Sequence, residues 1–159
     1  MRIGISGHRD LTEATAVAVD ATIRAFLAVH AGPGLTGVSC LADGADQLFA
    51  RAILDVGGIL VAIIPAAQYR AGLPKASHAG YDSLLSQATD VVELPFTDSD
   101  PAAHMAASIA MLDRIDHLIA VWDGKPARAF GGTADVISKA ENRKIPVTIV
   151  WPAGAERAG

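Results

Sequence analysis

Cysteine is almost missing from this 159-residue chain: Cys40 stands alone. One thiol excludes a disulfide framework and a multi-cysteine zinc site, and its place in the apolar run "LTGVSCL" marks it as a small buried side chain suited to a reducing cytosol. Charge is scarce too, at 19% of residues against 51% hydrophobic ones, and mean hydropathy is positive. That composition excludes disorder and requires strands buried on both faces, as in a parallel sheet. With 13 Lys and Arg against 17 Asp and Glu the net charge is −4, and no basic cluster is present to track a phosphate backbone, so no nucleic-acid partner is expected. No apolar stretch approaches the roughly 18 residues of a membrane span, and the apolar part of "MRIGISGHRD" is too short for a signal peptide. A cytoplasmic protein without a membrane partner follows. The five histidines, His8, His30, His78, His104 and His117, lack metal-ligand spacing, so neither metal nor cofactor is expected.

What is present is a regular alternation of short β-type runs with helical patterns. "RIGIS" (2–6), "LTGVSCL" (35–41), "ILVAII" (59–64), "DVVEL" (90–94), "HLIAVW" (117–122) and "PVTIVW" (146–151) read as strands. Between the first two, Asp10 with Glu13 forms a capping-box pattern for a helix whose apolar face is Val19, Ile23, Phe26 and Leu27. Ala45, Leu48, Phe49 and Ala52 keep helical spacing after the second strand, and Pro101 opens a helix with Met105, Ile109 and Leu112 inward. Residues 65–80 are polar and aperiodic and read as a long loop or flap, with His78 as a solvated loop side chain. The alternation implies a single-domain α/β architecture over residues 1–152: a Rossmann-like, doubly wound, mostly parallel sheet with helices on both faces. Residues 153–159 read as a frayed tail.

In such a sheet the ligand lies beyond the carboxyl ends of the strands, near the point where strand order reverses. Three loops are brought there. In "SGHRD" Gly7 permits close backbone approach, His8 is a ligand donor or a structural hydrogen-bonder, and Arg9 either grips a phosphate or carboxylate or pairs with Asp10, Asp43 or Asp46. "ADGAD" places Asp43 and Asp46 around Gly44, either as helix caps or as carboxylates for a ribose or base. After Trp122 come Asp123, Lys125 and Arg128, then Gly131, Gly132 and Thr133 where a helix starts, so that backbone N–H groups and the positive end of the helix dipole face an anion. The bland alternative is that Thr133 caps the helix and the glycines merely turn the chain. Asp135, in the first helical turn, is the candidate catalytic carboxylate.

"GISGHRDL", "SCLADGADQLFARAIL" and "AVWDGKPARAFGGTADVISKAENRKIPVTIVWP" together resemble the SLOG superfamily, the Rossmann-like group that includes Smf/DprA and Lonely Guy-like proteins. The resemblance covers the three loops and nearly the whole chain. It implies a nucleotide or nucleotide-derived ligand at the glycine-rich loop, homo-oligomers of two or more subunits, and, by likeness to Lonely Guy enzymes, hydrolysis of the N-glycosidic bond of nucleoside monophosphates. Their P-G-G-x-G-T-x-x-E signature is matched at Gly132-Thr133, but Val136 stands where the glutamate belongs and Asp135 comes one residue early, about 100° away around the helix. "GTAD" also resembles a turn of nucleoside deoxyribosyltransferases. The leading expectation is a nucleotide-binding sensor; the alternative is an N-glycoside hydrolase or transferase using Asp135.

Overall fold

A computed structural model describes residues 1–128 and 130–158. Ala129, in the glycine-loop stretch, and Gly159, at the end of the tail, lie outside the described residues. Strands and helices alternate as β1 (Arg2–Gly7), α1 (Glu13–His30), β2 (Thr36–Ser39), α2 (Ala45–Asp55), β3 (Ile59–Ala66), α3 (Tyr69–Gly72), α4 (His78–Ser86), β4 (Asp90–Phe96), α5 (Pro101–Leu112), β5 (His117–Val121), α6 (Thr133–Asn142) and β6 (Val147–Val150). The strands form one parallel sheet in the order β4-β3-β2-β1-β5-β6. This is the doubly wound Rossmann-like fold that the alternation implies. The chain winds outward from β1 to β4, then returns to lay β5 on the free edge of β1, with Gly7 opposite Val121. Strand order therefore reverses between β1 and β5, and the loops leaving those two strands diverge and open a crevice.

Apolar patterning decides which face each helix covers. Val19, Ile23 and Leu27 of α1 and Phe49 and Ile53 of α2 pack with Ile3, Ile5 and Ile119 of the sheet. Met111 and Leu112 of α5 and Val136 and Ala140 of α6 cover the opposite face through Val38, Ile63 and Leu118. Each such side chain fully buried contributes about 1.5–3 kcal/mol. In α5 it is Met111, not Ile109, that takes the deep position beside Leu112. Asp100 caps this helix, accepting from the Ala103 amide at 2.9 Å, with Pro101 in its first turn.

Three local expectations are corrected. Asp10 does not cap α1: Thr12 does, its hydroxyl accepting from the Thr15 amide at 3.3 Å, because the Asp10 carboxylate is held by Arg128 and Arg157. Residues 65–80 are not a flap. β3 continues through Pro65, where the missing N–H shifts its register against β4, and the next turns are pinned by Tyr69 and Leu73, each 5% exposed. His78 is bonded to the Leu73 carbonyl at 3.0 Å rather than solvated. The segment looks aperiodic because its helical turns are too short to display a period. The tail, finally, does not fray over its described end: Leu11 and Arg157 form an antiparallel bridge, and the Glu156 amide donates to Thr15 Oγ1 at 2.8 Å.

Candidate functional site

Above the β1–β5 crevice lies a cleft of about 300 Å³. Gly7, His8 and Arg9 border it from the β1–α1 loop, Asp46 from the start of α2, and Lys125, Arg128, Gly131, Gly132 and Thr133 from the β5–α6 loop. Asp43, Gly44, Asp123 and Asp135 do not line it. Sequence reasoning missed Tyr69, His104 and Arg157, which do. The carboxyl-end rule was applied only to the segments after β1, β2 and β5, whereas Tyr69 and His104 lie in α3 and α5, the helices that follow β3 and β4; nothing in the Gly- and Ala-rich tail signals Arg157.

The glycine turn is built by its own helix. Gly131 adopts φ +88°, a conformation that favours glycine, and its N–H donates to Asp135 Oδ2 at 3.0 Å. Asp135 thus stabilises the turn, and it is not among the residues that line the cleft. Gly132 is the N-cap without a side-chain cap bond, so Thr133 does not cap either; it is 7% exposed at the cleft wall. The amides of Gly132, Thr133 and Ala134 have no acceptor among the described residues, so the positive end of α6 opens onto the cleft.

His8 and Asp123 lock the two central loops together. His8 Nε2 accepts from the Asp123 amide at 3.0 Å, and its ring stands edge-on to Trp151. Burial lowers the His8 pKa, Arg157 adds to the effect, and Asp123 only partly opposes it. A neutral ring with its proton on Nδ1 fits both facts, so the 3.2 Å approach of Nε2 to Asp123 Oδ1 is a contact and not an ion pair. Burial pushes the Asp123 carboxyl up, yet the group stays below the usual carboxylate range, with the hydrogen bond from the Lys125 amide and the nearby Arg157 among the causes.

The cations of the cleft differ in how they are held. Arg9 pairs with Asp43 through Nε at 2.7 Å, which leaves its terminal nitrogens without a hydrogen bond among the described residues. Both readings of Arg9 are thus compatible in one geometry. Arg128 and Arg157 share Asp10, at 3.1 Å and 2.6 Å. Lys125 Nζ makes no ion pair among the described residues. Gly44 serves the scaffold: with φ +80°, a Cβ there would meet the His8 and Arg9 carbonyl oxygens at 2.6 Å, so only glycine lets α2 approach the β1–α1 loop so closely. Asp46 does not cap α2; its Oδ2 accepts from the Ala42 amide at 3.3 Å. It is 8% exposed, and burial, with Asp43 nearby, raises its pKa to about 7 against the pull of the Ala42 amide and Arg9. Among the described residues no group of three or more His, Cys, Asp or Glu is placed to share a metal ion, and no helix is long and apolar enough to cross a membrane.

No protein-family model matches the chain, and neither does any curated protein. Solved structures do. DNA processing protein A (DprA) from Streptococcus pneumoniae is 18% identical with a TM-score of 0.70, over 96% of this chain and 51% of that one. DprA from Helicobacter pylori, described by its single-stranded DNA binding mode, is 14% identical with a TM-score of 0.70, over 99% and 69%. The molybdenum cofactor binding protein of the phototrophic bacterium Rippkaea orientalis is 14% identical with a TM-score of 0.58, over 93% and 74%. The chain spans about half the length of the Streptococcus protein.

Sheet order, helix placement and these likenesses define a Rossmann-like fold shared with DprA and the molybdenum cofactor binding protein. The two DprA structures match this fold over nearly the whole length of the chain. The exclusion of a nucleic-acid partner does not stand, because the same fold occurs in a protein described by its single-stranded DNA binding. The inference failed physically because a net charge of −4 averages over the whole surface, whereas Arg9, Lys125, Arg128 and Arg157 are gathered at one cleft.

Proposed function

We propose that the chain binds a nucleotide or nucleotide-derived small molecule in this cleft, with the phosphate at Gly132, Thr133 and Ala134 and with Lys125, Arg9 and Arg128 adding positive charge. The observation that carries this reading is the coincidence, at the β1–β5 switch point, of an open helix N-terminus with gathered cations. The cleft volume is at the lower end of small-molecule sites. That two structural neighbours are described as binding single-stranded DNA and a molybdenum cofactor supports ligand binding as the use of this fold. Binding is favoured over hydrolysis because Asp135 is spent on the Gly131 amide and does not line the cleft.

Calorimetric titration with nucleoside monophosphates, their parent nucleosides and a short single-stranded oligonucleotide tests the reading. Monophosphates should bind and nucleosides should bind at least about tenfold more weakly, since a hydrogen bond to a charged group is worth about 1.5–3 kcal/mol. Lys125→Ala should weaken binding and flatten its dependence on salt. Equal affinity for nucleoside and nucleotide, or no binding by any of them, refutes the phosphate site. An oligonucleotide binding while mononucleotides do not refutes the small-molecule reading in favour of a strand. Free base released by wild type and lost in Asp135→Asn would reinstate the hydrolase.

A further inference from the structure

The far end of the cleft has a different chemistry from the phosphate end. Its walls include Cys40, Pro65, Tyr69, His104 and Met111, and Asp46 is the one acidic residue among the described lining. Asp46 is more than nine-tenths buried, yet the only hydrogen bond its side chain accepts from a described residue is the 3.3 Å one to Oδ2. The nearest fixed cation, Arg9, is already paired with Asp43. Among the described residues no buried side-chain oxygen lacks a partner. Asp46 Oδ1 and the Tyr69 hydroxyl, neither of which makes a hydrogen bond there, are therefore reached from the cleft. Both groups belong to residues that line the same cleft. The cleft thus offers an acceptor and a donor among apolar surfaces.

Resting on the nucleotide reading above, we propose that this end holds the base, and that Asp46 selects heterocycles with a guanine-type edge: an amino group and a ring N–H side by side, followed by a carbonyl. The carboxylate accepts from both N–H groups, and the Tyr69 hydroxyl donates to the carbonyl. A ribose diol fits less well, because Pro65, Tyr69 and Met111 remove the water that a sugar keeps and suit the flat faces of a ring. The placement is consistent with sheet spacing. Asp46 follows β2 and the α6 N-terminus follows β5, two inter-strand steps apart and on opposite faces of the sheet, which leaves a gap for the sugar to bridge. A buried carboxyl held by a single backbone amide, with Arg9 already engaged by Asp43, gains most from a ligand that supplies N–H donors, so the preference should be sharp.

The test is equilibrium binding of GMP, IMP, AMP, CMP, UMP and 2′-deoxy-GMP to wild type and to the isosteric Asp46→Asn. GMP should bind wild type at least about tenfold more tightly than IMP, which lacks only the amino group, and deoxy-GMP should match GMP. Asp46→Asn should erase the GMP preference while leaving AMP within about twofold. Should Asp46→Asn fail to fold, the GMP–IMP comparison on wild type still decides. GMP and IMP binding alike, Asp46→Asn keeping the preference, or a loss on removing the 2′-hydroxyl overturns the base assignment and leaves the phosphate site intact. Failure of every nucleotide to bind overturns the underlying reading, and the base assignment with it.

Discussion

At the scale of single residues, Asp46 and His8, both buried at the cleft, respond to pH in opposite directions. Asp46 keeps its proton in the folded chain to about pH 7, whereas an unfolded chain releases it near 3.8. The folded state therefore binds more protons across that interval, and stability falls as pH rises through it. The melting-temperature difference between Asp46→Asn and wild type should move in the variant's favour from pH 4 to 7; a pH-independent difference would show that Asp46 ionises at its ordinary value. His8 is the converse case. Its folded pKa lies below the ordinary 6.5, so the unfolded chain takes up the proton first and stability is lost as pH falls below about 6.5. The imidazole C–H resonances should titrate below that value, and a midpoint above it would mean that Asp123 holds a charged ring.

At the scale of elements, the strands and helix faces were legible because burial writes a period into the sequence: Val19, Ile23 and Leu27 recur as a helix requires, and all three are fully buried. The loops were legible in position but not in direction. Gly131, Gly132 and Thr133 were identified as a helix start, yet only the three-dimensional turn shows that Asp135 reaches back to the Gly131 amide. The same holds for Asp123, which leaves its strand beside the cleft but folds back onto the Lys125 amide at 3.0 Å. Short carboxylates find the nearest orphan N–H, and sequence spacing does not say which one that is. Gly131→Ala should cost about 1 kcal/mol for the left-handed backbone alone, with the Pro101 carbonyl oxygen 3.2 Å from the new Cβ. A loss of about 2–4 °C in Tm would register it. Asp135→Asn should give a similar loss, since it removes the charge from the turn and from the helix dipole.

At the scale of the whole molecule, Asp10 is the point where three remote segments meet: it lies in the β1–α1 loop and accepts from Arg128, before α6, and from Arg157 in the tail. The opposing influences on Asp10 are burial, which pushes its carboxyl up, and these two guanidinium groups and its own backbone, which together bring it below the usual range. Arg157→Ala should therefore lower Tm by a few degrees, and a variant melting with wild type would show the tail to be passive. None of this long-range wiring was readable from the sequence, because a contact between residues 147 positions apart leaves no local pattern. The pairing of β1 with β5 across more than a hundred residues carries a last consequence, in time. During synthesis β2 follows β1 by a few tens of residues and can pair with it early, but the other edge of β1 has no partner until His117–Val121 has been made. The crevice is bounded by those two strands, so it is among the last features of the molecule to form, and any chain interrupted before β5 presents an unpaired central strand instead.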